Sequence, residues 1–261
     1  MAGYAALRVA RFLYVPLKWR RSTRPNAAMS KVFDTNCRRC PRLAEFLAEV
    51  QSEHPHYYCK PVAPFGDPSA RLLIVGLAPG KHGANRSGRP FTGDHAGILL
   101  YSTLFKFGLA SAPVSTAVDD GLRLLSARIT NAVKCLPPDN KPLPVEVRTC
   151  NEFLRAEFAA SPEVRTVLAL GSIAHDAVLR AADLPLKQFR FAHGAEHRLP
   201  SGTVLVDSYH CSRYNTQTRR LTTAMFESVV ARACALAEGA AISGRAPASG
   251  PTPAARPARV Q

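Results

Sequence analysis

The sequence predicts a single-domain, three-layer α/β/α fold around a central, mainly parallel, four-stranded sheet. Short apolar and partly β-branched runs, which are typical of buried strands, recur at 71–75, 127–134, 166–170 and 202–207. Helical patterns separate these runs, and strands that alternate with helices build parallel sheets covered on both faces. The sequence has no run of about 18 apolar residues, so no membrane span is predicted.

The predicted helices carry apolar residues at helical spacing. They cover 43–50, 96–109, 146–159, 173–182 and 221–236. Residues 54–69 are rich in Pro, Tyr and His and are predicted to form a loop. The segment 135–144 contains four prolines, which remove backbone donors, so we expect a rigid loop rather than a helix or a central strand.

Charge divides the chain into a folded middle and two basic ends. The net charge is +15, and nine of the 34 basic residues lie in 1–30 and 239–261, which hold no acidic residue. We interpret 1–30 as a disordered basic extension, with Met29 as an alternative start, and 31–238 as the folded domain. The Ala/Pro/Arg-rich segment 239–261 is expected to be a disordered tail. The moderately basic middle favours a polyanionic partner, although a solvated basic surface has the same composition.

Four of the seven cysteines have an arrangement that suits a metal centre. The odd count and the lack of a clear signal peptide argue against a secreted disulfide framework and favour a reducing compartment. Cys37 and Cys40 form a Cys-x-x-Cys pair, and Cys135 and Cys150 flank the proline-rich loop. Zinc sites more often use two tight pairs, whereas a wide, asymmetric set also fits an iron–sulfur cluster. The spacing alone leaves a cluster, zinc and no metal open.

The segment that follows the strand at 71–75 carries the clearest functional signal. Gly76-Leu-Ala-Pro-Gly80 is a glycine-containing turn that can bring backbone N–H groups up to an anion. Phe91 and Asp94 follow on the same loop, and Asn131 and His210 lie at or near the ends of other predicted strands. Ligands of parallel α/β sheets bind at the carboxyl ends of the strands. We therefore expect one site at this edge.

Three segments together resemble the type-5 uracil-DNA glycosylases, the iron–sulfur branch of the uracil-DNA glycosylase superfamily. They are Gly76–Asp94, Thr130–Pro138 and Tyr209–Thr222, and the likeness extends over about 33–236. The resemblance implies a uracil-DNA glycosylase-like fold and a [4Fe–4S] cluster held by the four cysteines of the wide set. It also implies a monomeric, cytoplasmic and nucleoid-associated enzyme of base excision repair, whose substrate is DNA with uracil or other deaminated bases.

The resemblance also gives individual residues expected roles in base flipping and excision. Phe91 would stack on the base, in a pocket floored by Gly76, Leu77 and Ala78, and Asn131 would read the base edge. Asp94 would position or deprotonate the attacking water and offset positive charge on the sugar, although it could also cap the following helix. His210 would donate a hydrogen bond to the departing base. Contacts to DNA are expected from Pro79, Gly80, Arg86, Arg213, Asn215 and Arg219.

Two features bear on substrate range and on rival functions. The family commonly has proline after the motif histidine, where this chain has Cys211, so the rigidity of that loop and the substrate preference stay open. Excision of uracil, hypoxanthine and xanthine without strand cleavage is expected, because no lyase-type lysine arrangement occurs. The alternative is a non-catalytic nucleic-acid-binding protein with a structural metal. A dinucleotide enzyme is disfavoured, because the loop lacks Gly-x-Gly-x-x-Gly.

Overall fold

Six strands and seven helices make up the fold of residues 33–240 in a computed structural model. The predicted extension over 1–30 and the tail beyond residue 240 lie outside the described residues. The strands are β1 (Phe65–Gly66), β2 (Leu72–Gly76), β3 (Ala127–Asn131), β4 (Thr166–Leu170), β5 (Glu196–Arg198) and β6 (Val204–Ser208). The helices are α1 (Pro41–Glu53), α2 (Ala84–Ser87), α3 (His95–Lys106), α4 (Pro144–Ala159), α5 (Ser172–Ala181), α6 (Arg213–Gln217) and α7 (Thr223–Ala237).

The strands form one mostly parallel sheet in the order β1-β3-β2-β4-β6-β5. The four central strands run parallel, as the sequence predicts, and β1 and β5 pair antiparallel at the two edges. The predicted number of four strands is wrong, because the sheet has six. The two additional strands have only two and three residues and are not buried, so they carry no apolar alternation that could reveal them.

The sheet separates two apolar cores, one on each face. Side chains alternate along every strand, so Leu72 and Ile74 of β2 pack into one core with α3 and α7. Leu73 and Val75 pack into the other core with α1, α4 and α5. All five residues of each central strand are buried, as expected for a parallel sheet covered on both faces. The three-layer α/β/α prediction is confirmed.

The parallel strands end together at the edge where the sequence places the site. Gly76, which ends β2, lies opposite Asn131, which ends β3. The pairing continues beyond the strands, because the N–H of Ala132 donates to the carbonyl of Gly76 at 2.9 Å. At β4, Gly171 donates to the carbonyl of Ser208 in β6 at 2.8 Å. These bonds fix the relative positions of the loops that follow the strands.

The short helices α2 and α6 fall in segments that carry no helical periodicity. Helix α2 has four residues and is followed by Gly88, which adopts a positive φ of 80°. Helix α6 has five residues and begins after Ser212, whose side chain caps it. Within residues 33–240, none of the helices is both long and apolar enough to cross a membrane.

Candidate active site

A pocket of about 440 Å³ opens at the carboxyl edge of the sheet. Eight of the predicted site residues line it: Leu77, Ala78, Gly80, Phe91, Asp94, Asn131, His210 and Arg213. A larger cavity of about 680 Å³ lies near the amino ends of β4 and β6 and contains none of the predicted site residues. We assign the candidate active site to the smaller pocket, because the strand ends and their polar side chains converge there.

Gly76 allows Phe91 and Asn131 to approach the backbone of β2. A Cβ atom at this position would lie 2.5 Å from Oδ1 of Asn131 and 2.6 Å from Cζ of Phe91. No other residue fits here without moving both side chains. The glycine that the sequence marks as a turn residue therefore acts as the contact surface for the Phe91 ring and the Asn131 amide.

The backbone of Phe91 adopts a left-handed conformation, with φ of 56°. This conformation is uncommon for a non-glycine residue and persists where the surroundings enforce it. The hydroxyl of Tyr101 donates to the carbonyl of Pro90 at 2.7 Å, and the carbonyl of Phe91 packs so closely on Gly97 that a Cβ there would lie 1.8 Å away. Contacts on both sides of Phe91 therefore hold its ring in the pocket wall, 5% exposed.

Asp94 is fixed at the amino end of α3. Its Oδ1 accepts a hydrogen bond from the N–H of Gly97 at 2.7 Å, so the predicted N-cap is present. Its Oδ2 lies towards Gly80 and Gly83, and a Cβ atom at Gly83 would lie 2.7 Å from it. Burial raises the pKa of Asp94, although the Gly97 amide and the neighbouring His95 charge oppose the rise.

His210 and Asn131 present polar atoms that have no protein partner. Nδ1 of His210 and Oδ1 of Asn131 are buried without a hydrogen bond. Buried polar atoms rarely lack a partner in folded proteins, so both atoms are candidates for hydrogen bonds to a bound base. Burial lowers the pKa of His210 to about 4, so the ring is neutral at neutral pH. The rings of Phe91 and His210 face each other at an angle of 26°, with their centroids 6.0 Å apart.

The segment that carries His210 is braced from two sides. The Asn215 amide donates to the carbonyl of His210 at 2.8 Å, so this predicted DNA-contacting residue turns inward. On the other side, the N–H of Tyr209 donates to Nδ1 of His193 at 3.1 Å, and the two rings stack. The sequence gives no signal for His193, because it lies in an irregular segment far from the motif.

A buried group of titratable side chains supports the end of β6. Nδ1 of His175 lies 2.8 Å from Oδ1 of Asp207, and Nε2 of His197 lies 3.1 Å from Oδ2. Nε2 of His175 faces the carbonyl of Phe189 at 3.1 Å, so both ring nitrogens of His175 have acceptors and must donate. Burial lowers the pKa of His175, but Asp207 and the Phe189 carbonyl outweigh it, and the net direction is upward. The group forms an ion pair whose facing atoms are satisfied without a metal.

The four cysteines of the wide set come together around one small cavity. Cys37 and Cys40 precede α1, Cys135 follows β3, and Cys150 lies in α4. Burial raises the pKa of Cys135, and the charges of the other three cysteines raise it further. Burial also raises the pKa of Cys40, to about 11. Four cysteine sulfurs around one cavity form a donor set that fits a metal centre, which would bind them as thiolates.

The remaining predicted DNA-contacting residues do not line the pocket. Arg86 and Arg219 are exposed, and Pro79, within the glycine turn, is buried. Pocket residues that the sequence did not reveal include His95, Asn140, Ser172 and Ile173. Ser172 follows β4 and Gly171, and this position just after a strand and a glycine could have predicted that it lines the pocket. His95 is adjacent to Asp94, yet a lone histidine beside a motif carries no pattern of its own.

Comparisons with known proteins agree with this geometry. The family model described as "Uracil DNA glycosylase superfamily" matches residues 63–233, a range that includes the pocket residues from Leu77 to Arg213.

Relatives named type-5 uracil-DNA glycosylase occur in both bacteria and archaea. The relative from Thermus thermophilus is 49% identical over 208 residues, which are 78% of this chain and 94% of the relative. That from Mycobacterium tuberculosis is 42% identical over 210 residues, 77% of this chain and 78% of the relative. That from Pyrobaculum aerophilum is 42% identical over 204 residues, 77% of this chain and 88% of the relative. The chain therefore belongs to the type-5 uracil-DNA glycosylases, hydrolases of N-glycosidic bonds within the uracil-DNA glycosylase superfamily.

Proposed function

We propose that this protein is a monofunctional DNA glycosylase that excises uracil and other deaminated bases, such as hypoxanthine and xanthine, and leaves an abasic site. The observation that carries the proposal is the pocket itself, where an aromatic face and two unpartnered polar atoms meet beside a carboxylate. A flipped base offers a flat face and a hydrogen-bonding edge to these groups. Membership of the family supports uracil as a substrate, and the wider base range rests on the pocket.

Phe91 and Asn131 would hold the flipped base. The Phe91 ring forms part of the pocket wall, and the unpartnered Oδ1 of Asn131 can accept from a base N–H. The same amide can donate through its nitrogen, so one side chain pairs with both a donor and an acceptor on the base edge. Hypoxanthine and xanthine present the same type of edge, which is why the proposal includes them.

His210 and Asp94 would act on the two charges that develop when the glycosidic bond breaks. His210, neutral because burial lowers its pKa, would donate a hydrogen bond to the base oxygen as negative charge grows there. Asp94 would direct the attacking water and offset positive charge on the sugar. The capping bond from Gly97 uses one oxygen of Asp94 and leaves the other for this role.

The DNA strand would lie across the edge that carries these loops. The turn at Gly76–Gly80 would bring the backbone of Gly80 towards the phosphates, with Arg86 on the same loop. Pro79 is buried and would shape the turn rather than contact the strand. Arg213 and Arg219, on and just after α6, would contact the strand beside the flipped nucleotide. Both arginines are exposed.

The four cysteines would hold a [4Fe–4S] cluster. The four cysteines line one small cavity, and a wide, asymmetric set of cysteines suits an iron–sulfur cluster. The cluster would join α1, the loop after β3 and α4, and it would take no part in breaking the glycosidic bond.

The test is a cleavage assay on duplexes that contain uracil, hypoxanthine or xanthine opposite each normal base. The wild-type protein is expected to yield alkali-labile abasic sites with each lesion. Asp94→Asn should slow cleavage by about 100-fold or more and leave binding to the uracil duplex within a few-fold. Binding without any abasic product from the wild-type protein would support the alternative, a non-catalytic nucleic-acid-binding protein. Equal losses of cleavage and binding in Asp94→Asn would leave Asp94 with a capping role only.

A further inference from the structure

His95 lines the pocket, and its Nδ1 is buried without a hydrogen-bond partner. Among the buried side-chain atoms of residues 33–240, seven have no hydrogen-bond partner, and three of these belong to residues that line the pocket. Oδ1 of Asn131 and Nδ1 of His210 already have proposed partners in the base. The third atom, Nδ1 of His95, has none. A buried nitrogen without a partner in a ligand pocket points to a group that it binds when the ligand is present.

The position of His95 limits what that group can be. His95 is the first residue of α3 and follows Asp94 directly, so the two side chains start from adjacent positions at the same helix end. Oδ1 of Asp94 is taken by the N–H of Gly97, which leaves Oδ2 as the oxygen available to a water. The two side chains are close enough for the His95 charge to act on the Asp94 carboxylate. This proximity to Asp94 associates His95 with the attacking water rather than with the base edge.

We propose that His95 is a further catalytic residue, whose Nδ1 accepts a hydrogen bond from the water that Asp94 directs at the sugar. The inference rests on the proposed function. One proton of the water would point to Oδ2 of Asp94 and the other to Nδ1 of His95. With both protons held, an oxygen lone pair faces C1′ of the deoxyribose.

The step balances without a further reactant. The water oxygen forms a bond to C1′ while the bond between C1′ and the base nitrogen breaks. The bonding electron pair leaves with the base, whose anionic oxygen accepts from His210. The proton of the water passes to the carboxylate of Asp94, and the His95 hydrogen bond persists until the hydroxyl is bonded to C1′. The products are an abasic sugar and the free base.

Three substitutions of His95 separate this role from simple packing. The amide oxygen of Asn can occupy the position of Nδ1, whereas the longer Gln places its polar group at the position of Nε2. His95→Asn should therefore retain single-turnover cleavage of a uracil duplex within about three-fold, whereas His95→Ala and His95→Gln should lose about 10- to 100-fold. Affinity for a duplex with non-cleavable, 2′-fluorinated deoxyuridine should stay within about three-fold in all three, because an oriented water contributes to the reaction rather than to binding.

Controls keep the result specific to His95. His56→Ala removes an exposed histidine outside the pocket and should leave the rate unchanged, and thermal unfolding and iron content should match the wild type in every variant.

Wild-type cleavage rates in folded His95→Ala would overturn the inference, and so would equal losses in the Asn and Gln variants. Neither result would affect the proposed function. That proposal is tested separately, by cleavage with the wild-type protein and by the loss of cleavage in Asp94→Asn.

Discussion

Gly76 is the residue on which the geometry of the pocket most directly depends. Its missing Cβ leaves room for Asn131 and Phe91, which would otherwise lie 2.5 and 2.6 Å from it. We expect Gly76→Ala to displace both side chains and to lower the cleavage rate by about 100-fold, measured under single turnover on a uracil duplex. Gly80→Ala is the matched comparison, because its Cβ would meet only Oδ2 of Asp94, at 3.9 Å. A larger loss in Gly80→Ala than in Gly76→Ala would contradict this explanation.

Asp94 and His210 should contribute differently to the pH profile of cleavage. Burial raises the pKa of Asp94 above its usual 3.8, and protonation removes the charge that faces the sugar, so the rate should fall as the pH falls through this pKa. His210 stays neutral down to about pH 4 and should add no limb above that. His210→Asn should lower the plateau of the rate against pH without moving the midpoint of the acid limb. A shifted midpoint would mean that His210 itself titrates in this range.

At the scale of elements, Arg89 joins the Phe91 loop to the segment that precedes β3. Its guanidinium donates to Oδ1 of Asp120 at 2.6 Å, to the Ser115 hydroxyl at 3.1 Å and to the carbonyl of Val118. It also lies over the ring of Phe65. The Arg89 and Asp120 side chains are 5% and 13% exposed, and although burial opposes its ionisation, Arg89 and three backbone amides hold the pKa of Asp120 well below its usual range.

Breaking this ion pair should leave a buried charge without its partner. We expect Arg89→Met to lower the free energy of unfolding by about 3–5 kcal/mol, measured by urea denaturation. The double variant Arg89→Met/Asp120→Asn should lose less than the sum of the single losses, because neither charge is then left alone. Additive losses would show that the pair is not coupled. If Arg89→Met also cleaves more slowly under conditions where it is fully folded, the slower rate would result from a displaced Phe91 loop rather than from unfolding.

The sequence was most informative for the elements that are long and buried. The four central strands appear as apolar runs because both faces of a parallel sheet are covered, and α3, α4, α5 and α7 appear through their spacing. Strands β1 and β5 could not be predicted, since they have only two and three residues and are not buried. Helices α2 and α6 have four and five residues, too few to show helical periodicity. The conformations of these elements depend on contacts with other parts of the chain, as when β1 pairs with the distant β3 through Phe65 and Ile129.

At the scale of the whole molecule, the cysteine set joins parts of the chain that are far apart in sequence. We expect Cys135→Ser to lose iron and visible colour and to unfold at lower temperature, because buried ligands no longer tie α1 and α4 to the loop after β3. Metal analysis and thermal denaturation of anaerobically purified protein provide the measurement. Cys234→Ser, on α7 and away from this cavity, is the control and should retain the metal. A colourless wild-type protein with one zinc would contradict the cluster.

The sequence by itself determined the fold class and the edge of the sheet that carries the pocket, and it identified Phe91, Asp94, Asn131 and His210 as candidates to line that pocket. These follow from periodicity and from motifs, which are properties of neighbouring residues. Only the tertiary structure decided that Gly76 and Gly83 make room for the pocket side chains, that burial keeps His210 neutral, and that His95 joins Asp94 with an unpartnered nitrogen. The physical reason is that close approach and desolvation arise between segments that only folding brings together.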